Sequence, residues 1–468
     1  MNKLFYITTI CFLAFFACSN DDDFSSDANI NLEFSSDIIQ FDTVFSTIGS
    51  ATKQFKIYNR SNHSAKIETI ELMNPSESGF RMNIDGEKGT RLTNVEILKK
   101  DSLFGFIEVT VNPQNSANPV LIKDSIKFTT NGNIQYLQLR AIGQDVYIWK
   151  GETITKDSIL TAAKPFLVYD SIVVKKNAKA TIKEGVKFFF KRDASVNVHG
   201  TINIQGSVEK PVVFRTERFD KIEGDIPYDN VPGQWNGIYF FPESYDNNIA
   251  NIFVRGATKG MTFYSSDANR KKAILYNTIV HNTSEYGVLA TESNIDAQNC
   301  LFTNSKNAAL SIQGGKYSFI HCTIANHFAW SGRKAEALVI SNYTDNGKTM
   351  PLDKCDFINC IVWGSSSKEI LFDQIEGVDF EYEFKNCILK GTETSGSHFS
   401  NIIWNKNPLF KDINQNKIYS YNFELEAASP AINEADRSYS ITIPFDLKGK
   451  SRLTDTNPDM GCYEWIGE

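Results

Sequence analysis

The chain has 468 residues, with 48 Lys+Arg against 55 Asp+Glu and a formal net charge of −7. Mild acidity, a mean hydropathy of −0.28 and 41% apolar residues exclude the basic stripe that nucleic acid requires and describe an ordinary globular chain, long enough for roughly two to four domains.

Lys3 gives a charged start and Leu4 to Ala17 an apolar run too short to span a bilayer, the pattern of a secretory leader. The run ends Phe15, Phe16, Ala17, Cys18, which resembles a bacterial lipoprotein signal (1–18) whose Cys18 takes the lipid, although Phe15 and Phe16 depart from the usual residues. Ser19, Asn20, Asp21, Asp22 and Asp23 open an acidic linker (19–30), similar to the tag that sends Bacteroidetes lipoproteins to the outer face of the outer membrane. The resemblance implies a surface-exposed outer-membrane protein attached to the membrane only through a lipid anchor. A leader cut without lipidation before a solvated acidic stretch is the alternative.

From 31 to 145 the apolar residues alternate, as in Phe55 and Ile57, Ile107, Val109 and Val111, Ile126 and Phe128, Leu137 and Leu139. Turn signals at Asn74 with Pro75, Asp85 with Gly86, Asn112 with Pro113 and Asn131 to Asn133 divide these into short strands. The stretch resembles an immunoglobulin-like β-sandwich of the abnormal-spindle/hydin type, through Lys53 to Asn59, Val109 to Pro113 and Phe128 to Gly143. It holds no cysteine and no cluster of titratable groups, so it reads as a spacer or docking module.

A six-residue unit recurs beyond Gly143. It begins at Asn251, Asn277, Asn299, His321, Asn359 and Asn386, at intervals of 26, 22, 22, 38 and 27 residues. Its second position holds Ile252, Thr278, Cys300, Cys322, Cys360 and Cys387, and its fourth Val254, Val280, Phe302, Ile324, Val362 and Leu389, so alternation points these two inward. The third position is also mostly apolar, which leaves the inward assignment open. The sixth holds Gly or Asn throughout, which predicts a left-handed bend after each strand, with Asn282, Asn304 and Asn326 in one line. Such periods leave no room for a helix per repeat and select a parallel β-helix.

The region 150–422 resembles the right-handed parallel β-helix proteins of the pectin-lyase-like group. Ala178 to Val186, Val196 to Ile202, Pro211 to Phe214 and the stretch Pro227 to Ile238 carry the likeness. Ser429 to Ile432, with Asp446, Gly449, Arg452 and Asp459 to Glu464, resemble the closing segment (423–468) of such proteins. The resemblance implies an all-β fold on a cell surface, in a group that mixes polysaccharide lyases, glycoside hydrolases and members of no known activity.

Six cysteines remain beyond the leader and Cys18, and Cys300, Cys322, Cys360 and Cys387 form one ladder. Parallel stacking holds their Cβ atoms too far apart for disulfides, so they read as small buried residues, and no ligand spacing supports a metal or other cofactor.

Two groups of residues are candidates for chemistry. Arg255 and His281 share the outward fifth position one coil apart, a cation to hold a uronate carboxylate beside a base to remove the adjacent proton. The loop 218–235 brings Asp220, Asp225, Tyr228, Asp229 and Trp235 together, carboxylates and aromatic faces that suit sugar. The plainer alternatives are a solvated outer row and a loop that packs Trp235 down on the coil. No nucleophile elbow, P-loop, dinucleotide fingerprint or HExxH motif occurs. The leading reading is a surface lipoprotein that binds glycan or another surface polymer without catalysis. A polysaccharide lyase or glycoside hydrolase comes second, and a structural or adhesive protein third.

Overall fold

The computed structural model describes residues 24–414, 419–454 and 456–467, so the leader, Cys18 and the acidic tag lie outside the described residues. The chain divides into two compact units, 1–145 and 146–468.

The described part of the first unit consists of two five-stranded sheets around one core. One sheet pairs Leu32–Phe34, Lys53–Asn59, Ser102–Val109, Phe80–Ile84 and Glu87–Gly89 antiparallel throughout. The other joins Ile38–Phe45, Asn133–Gln144, Val120–Thr130, Ala65–Leu72 and Arg91–Ile97, its first two strands parallel. The alternation sends Ile57, Ile107, Ile126 and Leu137 inward with no exposed surface, and leaves Ile134 and Tyr136 half in water. At Asn74 and Pro75 the expected turn is a single helical turn, Pro75–Ser78, stopped by Gly79 at φ 74°.

The second unit is built on one 22-stranded parallel sheet, nearly every strand pairing with the strand one circuit of chain later, an arrangement compatible with a β-helix. Three faces repeat along it. The A face runs through Val212–Thr216, Leu301–Ser305, Thr323–Asn326 and Ile361–Gly364. The B face runs through Ser195–Val198, Trp235–Phe240, Ala257–Phe263 and Leu338–Ser341. The C face runs through Thr201–Gln205 and Leu352–Ile358. Long strands such as Ala273–Thr283 cross from C to A with one bent residue between.

A left-handed bend recurs at the first position of the repeat in every unit, and at the sixth only in some. Asn251, Asn277, Asn299, His321, Asn359, Asn386 and Asn401 all have φ between 48° and 56°. Two strands that abut with no spare residue can turn only through one left-handed residue, which Asn tolerates best after Gly. At the sixth position only Gly256, Asn282 and Asn304 are left-handed, because a longer turn follows there and shares the bend among several residues. Asn282, Asn304 and Asn326 do occupy one line by register. Their side chains tie neighbouring loops to the coil: the Asn282 amide donates to the Asn230 carbonyl at 3.0 Å, and Asn304 Oδ1 accepts from the His327 amide at 2.8 Å.

Second and fourth positions line the interior, every one of them at 1% exposure or less. Cys300, Cys322, Cys360 and Cys387 are free thiols whose Sγ atoms donate to strand carbonyls at 3.2–3.7 Å. Inside the coil, Phe319, Phe357 and Phe384 stack at 4.7 Å between centroids.

The apolar third position belongs to a second core outside the A wall. Leu301, Ile361 and Ile388 at that position, with Ala325 and Trp363 at the fifth, meet Phe410, Phe423, Leu425, Leu447, Met460 and Cys462 from the chain end. An uncovered row of such residues would be a large exposed apolar patch, so the closing segment exists to bury it. Its charged residues lock it in place. Arg452 is fully buried, donates to Glu464 at 2.5 Å and to Asn299 of the bend row at 2.9 Å, while Asp446 accepts the amides of Lys448, Lys450 and Glu464. His321, the one non-Asn member of the bend row, meets the Ser440 hydroxyl through Nε2 at 2.8 Å.

Candidate functional site

The A-face register places Arg255 beside His281 one coil away, as their shared repeat position requires. The fifth position faces out, yet it is not a solvated row, since the closing segment covers it from Thr303 to Trp363. His281 accordingly sits edge-on to Tyr421, with Nδ1 at 2.6 Å from the Thr303 hydroxyl. Burial, with Arg255 adding to it, pushes the imidazole down to about 3. So weak a base is poorly matched to proton abstraction near neutral pH.

Arg255 is occupied as well. Its guanidinium donates to Asp229, lies 3.8 Å from the Phe253 ring centroid, and shares Asp229 with Arg215 at 2.9 Å. Burial raises the Asp229 carboxyl and lowers both arginines, against their mutual attraction. The triad pins the loop to the coil, because it neutralises a carboxylate that would otherwise be buried alone. The two residues are neighbours, His281 half-buried against Tyr421 and Arg255 paired with Asp229.

The loop residues separate in the same way. Trp235 is 1% exposed, stacked on Phe190 at 4.2 Å, and its indole N–H donates to the Arg255 carbonyl at 2.9 Å, so no face of it is open to a sugar. Asp229 is buried in the triad. Asp220 is paired with Arg218, whose guanidinium lies 3.7 Å from the Tyr228 ring centroid, and Asp225 stands in solvent near Lys221. Asp220, Asp225 and Tyr228 keep accessible surface, and Arg218 joins the first and last of them.

An accessible aromatic strip lies elsewhere, on the outside of the B face. Tyr239 and Tyr264 stand on successive coils at 6.3 Å and 17°, and Phe241 joins Tyr264 at 5.3 Å. Tyr264 is 39% exposed and Tyr239 half-buried. Burial, with Tyr264 and Glu285, pushes the Tyr239 hydroxyl up to about 12, so it remains a neutral donor and acceptor. Lys259 and Glu285 pair beside it at 3.4 Å, and Tyr286 feels Asp345 and Glu285. The sequence signal for the strip was parity: Tyr239 alternates outward between Ile238 and Phe240, which point in. Among the described residues no group of three or more His, Cys, Asp or Glu is placed to hold a metal.

No family model matches the chain, and no curated protein does. Among solved structures, a family 123 glycoside hydrolase from Clostridium perfringens, described for glycolipid glycan hydrolysis, is similar over 26% of this chain and 30% of its own. The identity is 7% and the TM-score 0.19, a likeness too slight to carry any argument.

Proposed function

We propose that the protein is a lipid-anchored outer-membrane surface protein in which an immunoglobulin-like module precedes a right-handed parallel β-helix of the pectin-lyase-like kind. Its B face binds glycan or another surface polymer without cleaving it. The observation that carries this reading is the Tyr239, Tyr264 and Phe241 strip, stepped along the coil axis with carboxylates and a lysine beside it. Rings at that spacing offer apolar faces to successive units of an extended polymer, and the neighbouring charges and hydroxyls offer partners to its hydroxyl groups. Against the lyase reading stand the covered His281 and the neutralised Arg255. The net charge of −7 weighs against nucleic acid.

Incubation with a panel of acidic and neutral polysaccharides, following retention and new chain ends together, tests the reading. Retention without new ends is expected, and replacing both Tyr239 and Tyr264 by Ala should weaken it by about tenfold per ring, equivalent to about 1.4 kcal/mol each. New chain ends that persist in the double variant would overturn it. The anchor has its own test: Cys18→Ala should move the protein out of the membrane fraction, and unchanged attachment would sink the lipid claim.

A further inference from the structure

We propose that the first unit carries a saccharide site of its own, a pocket on the outer face of its antiparallel sheet that takes an acidic sugar residue. The depression measures about 550 Å³ and lies between Ser102–Val109, Phe80–Ile84 and the short edge strand Glu87–Gly89. Asn83 and Phe106 are register partners, so both side chains point to this outer face while Met82 and Ile107 point into the core. Phe106 forms the floor, outward on its strand between Gly105 and Ile107, and its ring stacks with that of Phe104 at 6.4 Å.

The polar groups around this floor have a definite balance. Asn83 Oδ1 is buried in the structure with no hydrogen-bond partner, an acceptor that calls for a donor from outside. Glu108 accepts from Thr52 Oγ1 at 2.6 Å and lies 3.6 Å from Arg81, whose other nitrogen donates to Thr110. Lys88 rims the pocket with no ion pair among the described residues. Two cations against one carboxylate leave the pocket with a single positive charge.

One residue of an acidic sugar matches all three features within one compact unit. Its carboxylate would meet Lys88, its hydroxyls would donate to Asn83 Oδ1 and Glu108, and its C–H face would lie on Phe106. An acidic peptide supplies the carboxylate but no hydroxyl donors set around it. The proposal is independent of the B-face reading, since it rests on other residues in the other unit.

The test is a calorimetric titration of the full chain, with Lys88→Ala to locate the site. Titration with methyl β-D-glucuronide should give a saturable signal. Lys88→Ala and methyl β-D-glucoside should each weaken binding by about fivefold, the upper end of what an exposed ion pair contributes. Tyr239→Ala should change nothing. Lys88 is exposed, so its variant folds, and it decides the matter even if Asn83→Ala is unstable. No saturable signal, equal affinity in Lys88→Ala, or tighter binding of triglutamate than of the glucuronide would each overturn the proposal.

Discussion

Acid should unfold the second unit through two of its histidines. His281 titrates at about 3, through burial and then Arg255, and His327 at about 4, through burial and then Arg333 and Lys390, against 6.5 for an ordinary imidazole. Both folded values are depressed, so below 6.5 the unfolded chain binds protons that the folded chain refuses, and stability falls as pH falls from 6.5 toward 3. At pH 4.5 the linkage costs between about 2 and 3 kcal/mol for each histidine, up to about 5 kcal/mol together. The perturbation is the double substitution His281→Asn and His327→Gln, which keeps a polar group at each place and removes the titration. All six tryptophans lie in 146–468, so denaturation followed by tryptophan fluorescence reports this unit alone. Carboxylates such as Glu424 and Asp436, held below their ordinary values by lysine partners, also lose stability in acid, but equally in both proteins. The wild type should lose up to about 5 kcal/mol more than the variant between pH 7.5 and 4.5. Equal losses would refute the burial argument for both rings.

Trp235→Ala should cost about 3 to 5 kcal/mol in the same fluorescence assay, since it empties a site packed against Phe190 and Phe214 and leaves the Arg255 carbonyl without its donor; a cost under about 1 kcal/mol would return the indole to the surface. Asp229→Asn should destabilise the unit by about 1 to 3 kcal/mol, because two half-buried guanidiniums then face each other unneutralised, and replacing Asp229, Arg215 and Arg255 together by apolar residues should restore most of the loss in urea melts. Gly461→Ala puts a Cβ 2.7 Å from Thr323 Oγ1 at φ 89°, so it should loosen the closing segment by about 1 to 3 kcal/mol, seen as faster limited proteolysis within 405–467.

The coil was legible because its information is periodic. Inward second and fourth positions recur at every circuit, and a register read from them also places Arg255 beside His281. The left-handed bend expected at the sixth position holds at Gly256, Asn282 and Asn304, but the one at the first position was missed, because composition alone does not say which end of the unit has no spare residue for its turn. The closing segment was named by resemblance, but the wall it covers was not legible, because its contacts are remote in sequence, such as the Gly461 amide on the Asn359 carbonyl. Yet it left a trace. An apolar third position that alternation assigns to the outside is the signature of a covered wall, and beside that wall His281 is half-buried against Tyr421. Asp229 was named for sugar because a carboxylate beside aromatics looks the same in sequence whether it faces solvent or two arginines.

These constraints decide where on the second unit a ligand can be met. The A wall from Thr303 to Trp363 lies under the closing segment. The C face presents opposite charges near one another, Lys271 with Asp296 at 2.7 Å, Lys354 with Asp356 at 3.0 Å and Lys316 with Asp353 at 3.7 Å. Exposed pairs of this kind contribute little to stability and keep a flat parallel face solvated, which opposes adhesion to an uncharged polymer. The B face carries the outward rings Tyr239 and Tyr264 on successive coils. A polymer that ran along the coil axis would therefore pass over Tyr239 and Tyr264 before any other aromatic pair of that face, and would do so across parallel strands whose spacing of about 4.8 Å fixes the step between contacts. Specificity on such a surface comes from the groups beside the rings, so exchanging the Lys259 and Glu285 charges should alter which polysaccharide is retained more than how tightly rings and polymer meet.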